Sequence, residues 1–354
     1  MPDHSKILSI IIPTYNSSKT IIQALDSFDY TRQDDFEICL IDDGSKEDIK
    51  DLIAPMMGRY PDTIKYFKKE NGNWGSVMNY AKTVINGKWV KVLDSDDLVN
   101  GADFNKYLNY LEEIDDTKHD LVFTSFLLHD IVTNKFETKY FQFAGTEMIY
   151  GTFDNMSYNG TFSHHMLTIS SKLFKSVVQL PTGIYYTDNI LIYDIIRLSK
   201  GTVFLPKNIL IYIYNVGDAE QSINIKNIAK RRDQWIVVLK AIASLPIVFN
   251  ITIKRSRLLS KFIKRMVYFL VLAGMVNDGT SRAAKKKELK EINDIIGYLH
   301  YSRKLQIYTS PYIILIRTCN ITLLKMINKT AYSTINWGLV ASIKAKKNKK
   351  NKIT

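Results

Sequence analysis

Apolar residues along the first 130 positions fall in short, nearly continuous runs, and the longer stretches between them follow a helical period. The runs "ILSIIIP" (Ile7 to Pro13), "FEICLID" (Phe36 to Asp42), "IKYFKK" (Ile64 to Lys69), "WVKVLD" (Trp89 to Asp94) and "DLVFTSF" (Asp120 to Phe126) predict strands. Segments starting near Lys19, Glu47, Gly75 and Ala102 predict the intervening helices. Strands apolar on both faces and alternating with helices imply an α/β fold, with a mostly parallel central sheet flanked by helices. In such sheets ligands gather beyond the carboxyl ends of the strands. Polar clusters stand at those ends: Pro13-Thr14-Tyr15-Asn16, Asp42-Asp43-Gly44-Ser45, Asn71-Gly72-Asn73 and Asp94-Ser95-Asp96-Asp97.

From about Thr133 to Gln221 the runs shorten; "HHMLTIS" (His164 to Ser170) predicts a strand and the stretch after Asp188 a helix. Beyond Ile225 the pattern is mainly helical to about residue 330, and the chain ends in "KAKKNKKNK", Lys344 to Lys352. A chain of 354 residues with 46% hydrophobic and 12% aromatic residues can bury a substantial core, as one large domain or a domain plus an extension. Cys39 and Cys319 lie far apart, so neither a disulfide framework nor a zinc site is readable.

Charge separates the two parts of the chain. Residues 251–354 hold 22 Lys and Arg against 4 Asp and Glu, a net of +18; with +13 overall, residues 1–250 sum to −5. The apolar run near the amino terminus is too short, and too acidic upstream, to predict an export signal. "MVYFLVLAGMV" (Met266 to Val276) is about half the roughly 20 residues of a bilayer crossing, and "SPYIILIRTCNITLLKMI" (Ser310 to Ile327) carries Arg317 and Asn320 near its middle. Both segments are expected to lie in a membrane interface, with Tyr301, Tyr308, Tyr312, Tyr332 and Trp337 beside basic residues. The competing reading is a helical oligomerisation subdomain with a solvated tail. Nucleic acid is not expected as a partner, because the aromatics do not interleave with the basic residues as a stacking platform requires.

A single Asp-rich turn is ordinary surface chemistry. Two clusters following strands of one sheet bring Asp42, Asp43, Asp94, Asp96 and Asp97 to one rim, where repulsion raises carboxyl pKa values and costs stability unless a cation is bound. Oxygen ligands point to Mg2+ or Mn2+, ions that commonly share their coordination with substrate phosphates, so a nucleoside diphosphate is implied.

The ordered stretches "SIIIPTYN", "CLIDDGS", "KENGNWGSVMNYA" and "GKWVKVLDSDD", over Ser9 to Asp97, resemble the nucleotide-sugar half of glycosyltransferase family 2, which has the GT-A fold. "TGIYYTDNILIYDII" (Thr182 to Ile196) is similar to that family's acceptor-side segment, and "YNVGDAEQSIN" (Tyr214 to Asn224) to the one after it in bacterial surface-polysaccharide transferases. The resemblance extends over about residues 6 to 225. It implies a glycosyltransferase domain at 1–225, with a nucleotide-sugar half at 1–130 and an acceptor half at 131–225. A helical region at 226–343, membrane-associating or oligomerising, and a polybasic tail at 344–354 would follow.

By that resemblance Pro13, Thr14, Tyr15 and Asn16 line the nucleotide, Asp42 accepts from a uracil-type N–H, and Asp43 sits near the ribose. Asn71, Gly75 and Asn79 form the nucleotide-side loop, and Ser95 accompanies the acidic motif. Asp94 and Asp96 match the family's DxD element, with Asp96 the more direct ligand to Mn2+ or Mg2+, Asp94 towards the ribose and a metal water, and Asp97 extending the rim. The family's inverting chemistry requires a base, and Asp188 matches it; Thr187 stands where the family often has a further acid. The competing role for Asp188 is a helix cap. The implied partners are a nucleotide-sugar donor, a lipid-linked glycan acceptor and an anionic membrane surface, with a homo-oligomer possible and a peripheral position at the cytoplasmic face of the plasma membrane expected. The rival functions are a nucleotidyltransferase and a non-catalytic sugar- or membrane-binding protein.

Four further readings complete the set. Asp194 is expected on a solvated helix face. His164 and His165, adjacent on a strand, would point to opposite faces and so could not jointly grip one metal in the simple way; one would approach the active site and the other the core, with a packed histidine the favoured reading. Trp74 would stack on sugar or base, or cover the sheet edge. Gln221 and Ser222 would lie near the diphosphate.

Overall fold

The computed structural model describes residues 6–140, 143, 145–158, 163–216, 225–246, 251–274, 281–303, 305, 307 and 313. Gln221, Ser222, the Ser310 to Ile327 segment (apart from Ile313), Tyr308, Tyr332, Trp337 and the polybasic tail lie outside the described residues. By internal packing the chain divides into two units, Met1–Asp218 with Ser244–Leu259, and Ala219–Ala243 with Ser260–Thr354.

In the first unit β1 (Lys6–Thr14), α1 (Ile21–Asp26), β2 (Phe36–Asp42), α2 (Lys50–Arg59), β3 (Ile64–Lys68), α3 (Asn73–Val84) and β4 (Gly87–Val92) alternate as the apolar pattern predicts. There follow β5 (Leu98–Val99), α4 (Gly101–Glu113), β6 (Leu121–Phe123), β7 (Ser125–Asp130), β8 (Lys135–Lys139), β9 (Ile149–Gly151), β10 (Leu167–Ser170), α5 (Ser171–Ser176), α6 (Asp188–Leu198), β11 (Thr202–Phe204) and β12 (Leu210–Val216). An eight-stranded sheet runs β3-β2-β1-β4-β10-β6-β11-β9, and a four-stranded sheet runs β5-β12-β7-β8. The β3-β2-β1-β4 half is parallel, while β10 is antiparallel to both its neighbours. The expected α/β class with a central sheet flanked by helices is what the structure has.

Burial explains the strand composition. Every residue of β2 is buried, as a central parallel strand covered on both faces requires. Phe36 and Phe104 meet edge to face at 4.9 Å, an arrangement that contributes about 0.5–1.5 kcal/mol beyond area burial. Glu37, buried within β2, survives because Ser9 Oγ (2.6 Å), Asn86 N (2.6 Å) and Lys65 Nζ (3.0 Å) all donate to it.

Two predicted strands differ. "DLVFTSF" divides into β6 and β7, which belong to different sheets, and Thr124 between them donates its N–H to Met166 O at 3.0 Å. "HHMLTIS" opens as a tight turn of 3₁₀ type at His164–Met166, and only Leu167–Ser170 pairs as a strand. A local apolar count cannot detect either break, because each is imposed by a partner distant in sequence.

The second unit contains α7 (Ile225–Lys230) and most of α8 (Arg232–Ser244), α9 (Ile253–Gly274) and α10 (Arg282–Arg303). Trp235, Leu239, Ile263, Val267, Ile292 and Ile296 are buried, and Arg232–Glu288 and Lys240–Glu291 pair at 2.9 and 2.6 Å. Met266, Val267, Leu270 and Val271 are covered by protein, so this apolar stripe is not presented to a lipid surface as the pattern suggested. Among the described residues no helix is long and apolar enough to cross a membrane.

Candidate active site

The parallel register sets the carboxyl ends of the strands side by side, with Thr14 opposite Asp42 and Asp42 opposite Lys68. Hydrogen bonds then clasp the loops beyond them. Asn16, in the left-handed region at φ 53, accepts from Lys46 N at 3.0 Å, and its own N–H donates to Ser45 Oγ at 2.9 Å. Ser17 and Ser95 hydroxyls meet at 2.7 Å and join the loops after β1 and β4. Thr14 is buried and donates to Ile12 O, Pro13 is half-buried, and Tyr15 presents a ring that is 49% exposed.

Within this rim the first pair of aspartates is satisfied by the chain. Asp42 is fully buried and accepts from Ser45 N and Tyr66 Oη, both at 2.8 Å. Burial, then the Asp42 carboxylate, pushes the Tyr66 phenol above its usual range. Asp43 accepts from Lys69 Nζ at 2.7 Å and Gly72 N at 3.0 Å, and Asn71 Nδ2 donates to Asp43 O at 2.8 Å. Gly44 makes the turn possible: its φ is 76, and a Cβ there would stand 2.9 Å from Asn71 N.

The second cluster is arranged otherwise. Asp97 does not extend the rim. It is buried and accepts from Tyr212 Oη and Asn215 N, both at 2.7 Å. Burial, followed by the charges of Asp94 and Asp96, pushes its carboxyl up to about 9. Asp96 has an exposed side chain, and its carbonyl accepts from Asn215 Nδ2.

Asp94 Oδ2 has two imidazole neighbours, His164 Nε2 and His165 Nε2, each at 3.2 Å. The expectation of opposite faces fails because the residues sit in a turn of about three residues per revolution, where neighbours differ by about 120° rather than 180°. Lys91, buried in β4, donates to His165 O at 3.0 Å and holds that turn. Burial pushes the Lys91 ammonium down to about 7. Tyr214 stacks on His165 at 4.5 Å, Ser163 Oγ contacts His165 Nδ1 at 2.5 Å, and Trp74 lies 5.7 Å from the His164 ring. Burial opposes ionisation of Asp94, but His164 and then His165 hold its carboxyl well below the usual range. His164 is raised despite burial because Asp94 and Asp188 favour its charge; burial and its charged neighbour push His165 down to about 4. At most one of the two rings carries a proton charge near neutral pH.

Asp188 begins α6, after Tyr186 at φ 67. Thr187 is the N-cap residue and its side chain makes no capping bond. Burial raises the Asp188 carboxyl and Asp94 adds to this, against the opposing charge of His164. The segment before it is fixed from α3: Asn79 donates to Leu180 O (2.8 Å) and accepts from Leu180 N (2.9 Å), and a Cβ on Gly75 would stand 2.5 Å from Pro181 O. Gly75 and Asn79 therefore face the 180–187 segment. Asp194 is buried, pairing with Arg197 and accepting from Val178 N at 2.9 Å, instead of facing solvent.

Of the residues singled out in the sequence, the structure gathers the loop residues Pro13 to Asn16, Asp42, Asp43 and Asn71 in one group and Asp94 and Asp188 beside His164 in another, with Ser95 bridging them through Ser17. The residues missed outright are Lys91, Tyr212 and Tyr214, while for His164 and His165 the sequence reading ranks an approach of one to the active site behind packing. Only the adjacent imidazoles carried a signal, as the side chain most used for metal ligation and proton transfer.

A family model described as glycosyl transferase family 2 matches residues 9–178. An uncharacterized glycosyltransferase of Mycoplasma pneumoniae is 42% identical over 119 residues, 32% of this chain and 39% of that protein. One from Mycoplasma genitalium is 27% identical over 218 residues, 58% of this chain and 67% of that protein. The chain thus spans about two fifths of the first of these relatives. Among solved structures, S. aureus TarS 1–349 in complex with UDP-GlcNAc has a TM-score of 0.66 at 16% identity, covering 93% of this chain and 92% of that one. The mannosyltransferase PcManGT from Pyrobaculum calidifontis, in complex with GDP-Man and Mn2+, has a TM-score of 0.50 at 16% identity, covering 90% and 88%. Residues 9–178 thus match glycosyltransferase family 2, and the chain shares the fold of these structures.

Proposed function

We propose that the protein transfers a sugar, with inversion, from a nucleotide-diphosphate sugar to an acceptor hydroxyl. The observation that carries this reading is that His164, bonded at 3.2 Å to Asp94 after the end of β4, also lies within the electrostatic influence of Asp188 at the start of α6, while the Thr14–Asn16 and Asp42–Ser45 loops are clasped together at the strand ends. The nucleotide would lie along Pro13, Thr14, Tyr15 and Asn16, with the Tyr15 ring as its exposed face and Asn71 closing the loop. Asp42 and Asp43 shape this pocket through the bonds described above, and Gly75 and Asn79 act by fixing the 180–187 segment. Uridine diphosphate is the favoured carrier, since the TarS complexes hold UDP and UDP-GlcNAc.

Asp188 is the base. Its carboxylate takes the acceptor hydroxyl proton as that oxygen bonds to the anomeric carbon, and the bond from that carbon to the diphosphate oxygen breaks on the opposite face. Its raised pKa strengthens it as a proton acceptor. A divalent ion, Mn2+ or Mg2+, fits the donor atoms of Asp94 and its neighbours, with Asp96 near it, and when bound would neutralise the departing diphosphate. The acceptor is a glycan, lipid-linked in bacterial surface polysaccharide synthesis. The net charge of +18 on residues 251–354 supports docking at an anionic cytoplasmic leaflet, at roughly 1 kcal/mol per basic residue near the surface.

The test is a donor panel. The protein is incubated with Mn2+ and each of several nucleotide sugars, and nucleoside diphosphate release is followed beside Asp96→Ala and Asp188→Ala. Turnover that needs metal and is lost in both variants is expected; equal release by all three proteins overturns the reading. Removal of Lys344 to Lys352 should weaken binding to anionic vesicles, and unchanged binding refutes the membrane role.

A further inference from the structure

We infer that Asp94, His164 and His165 form a divalent-cation site with two imidazole nitrogens, assembled by the protein before any nucleotide arrives. Among the described residues these three side chains are the group whose ligating atoms converge, all lying within 4.8 Å of one another. The carboxylate oxygen stands 3.2 Å from each Nε2. Ligands bound at about 2.0–2.2 Å around one ion are roughly 3–3.4 Å apart, so the carboxylate oxygen already stands at that spacing from each nitrogen, while the two nitrogens lie within 4.8 Å of each other.

The supports behind the donors fit the same purpose. Ser163 Oγ, 2.5 Å from His165 Nδ1, can donate to that nitrogen or accept from it, so Nε2 can offer either a proton to Asp94 or a lone pair to a cation. Lys91 fixes the backbone of the turn through His165 O and Leu167 O, at 3.0 and 3.5 Å. Tyr212 and Tyr214 pack on His165, with ring centres at 4.8 and 4.5 Å. Asp188 adds a second negative charge beside His164. The oxygen-only shell expected from the aspartate motif thus becomes a mixed shell. Nitrogen donors favour Mn2+ and later transition ions over Mg2+. This assignment deepens the transferase reading and rests on it only for the use made of the ion; ion binding itself is measured without turnover.

The experiment titrates the full chain with Mn2+ alone, without nucleotide, following free Mn2+ by electron paramagnetic resonance and the bound ion by spin-echo modulation. Expected are saturable binding, ¹⁴N modulation that changes when histidine is ¹⁵N-labelled in the unaltered protein, and weakening by at least about tenfold in His164→Ala, His165→Ala and Asp94→Asn. Mg2+ should displace the ion only in large excess. Circular dichroism of each variant separates lost ligation from lost folding, and the ¹⁵N measurement needs no variant. The assignment is overturned by absence of Mn2+ binding without nucleotide, by absence of nitrogen modulation, or by binding that only Asp96→Ala removes. Nucleotide-sugar turnover by a preparation showing no nitrogen ligation would sink this site alone. Nitrogen-ligated Mn2+ in a protein that turns over no nucleotide sugar would leave the site standing and sink the transferase reading.

Discussion

The acidic cluster after β2 and the one after β4 look alike in sequence and are treated differently by the fold. Asp42 and Asp43 are closed by donors of the chain itself: a phenol, an ammonium and two backbone N–H groups. Asp97 is likewise absorbed, by Tyr212 and Asn215. Asp94 is 30% exposed and faces two imidazoles, groups that can donate a proton or lend a lone pair to a cation. Asp42 and Asp43 are thus satisfied by the chain, Asp97 is raised by burial and by its acidic neighbours, and Asp94 is kept ionised by imidazoles that could share it with a cation. The number of aspartates at a rim says less about metal binding than the protonation options of their partners.

This contrast can be broken by experiment. At the second cluster the losses should be chemical. Asp188→Asn should keep donor binding and lower the transfer rate by about 10²–10⁴-fold, read as diphosphate release beside a donor binding isotherm. At the first cluster they should be structural. Lys69→Met leaves the Asp43 carboxylate, only 5% exposed, without its cation and should destabilise the fold by about 3–5 kcal/mol in urea unfolding. If Lys69→Met instead unfolds at the same urea concentration as the parent, the contrast fails. Asn79→Ala strips both partners from the Leu180 backbone and should cost about 1–3 kcal/mol, with a loss of transfer as the 180–187 segment loosens.

A last prediction, read as a slope with pH rather than as a loss at one pH, concerns Lys91. Its folded pKa is depressed to about 7, against about 10.4 for an unperturbed lysine, so the unfolded chain binds more protons between those values. Stability should rise with pH across that window and fall as pH returns through 7. Lys91→Met should flatten the slope, as measured by unfolding midpoints from pH 7 to 10.

Legibility tracked the range of the interactions. The strands β1 to β4 and their helices were readable because apolar periodicity is local, and the predicted strand "FEICLID" coincides with β2. The rim loops were readable because they follow those strands. Asp194 was misread because its partners, Arg197 and Val178 N, turn a polar position of a helix inward. The second sheet was not anticipated, since β7 and β12 pair in parallel across more than 80 residues.

From the order of its residues alone, then, this protein declares an α/β class, the strand ends that carry its polar loops, the family motifs and the basic excess of its last third. Each follows from neighbours a few positions apart. Which aspartates are locked, which side chain faces Asp94, and how α3 holds the approach to Asp188 were settled by folding, because those pairings join residues 26 to 118 positions apart and depend on how a turn rotates a side chain.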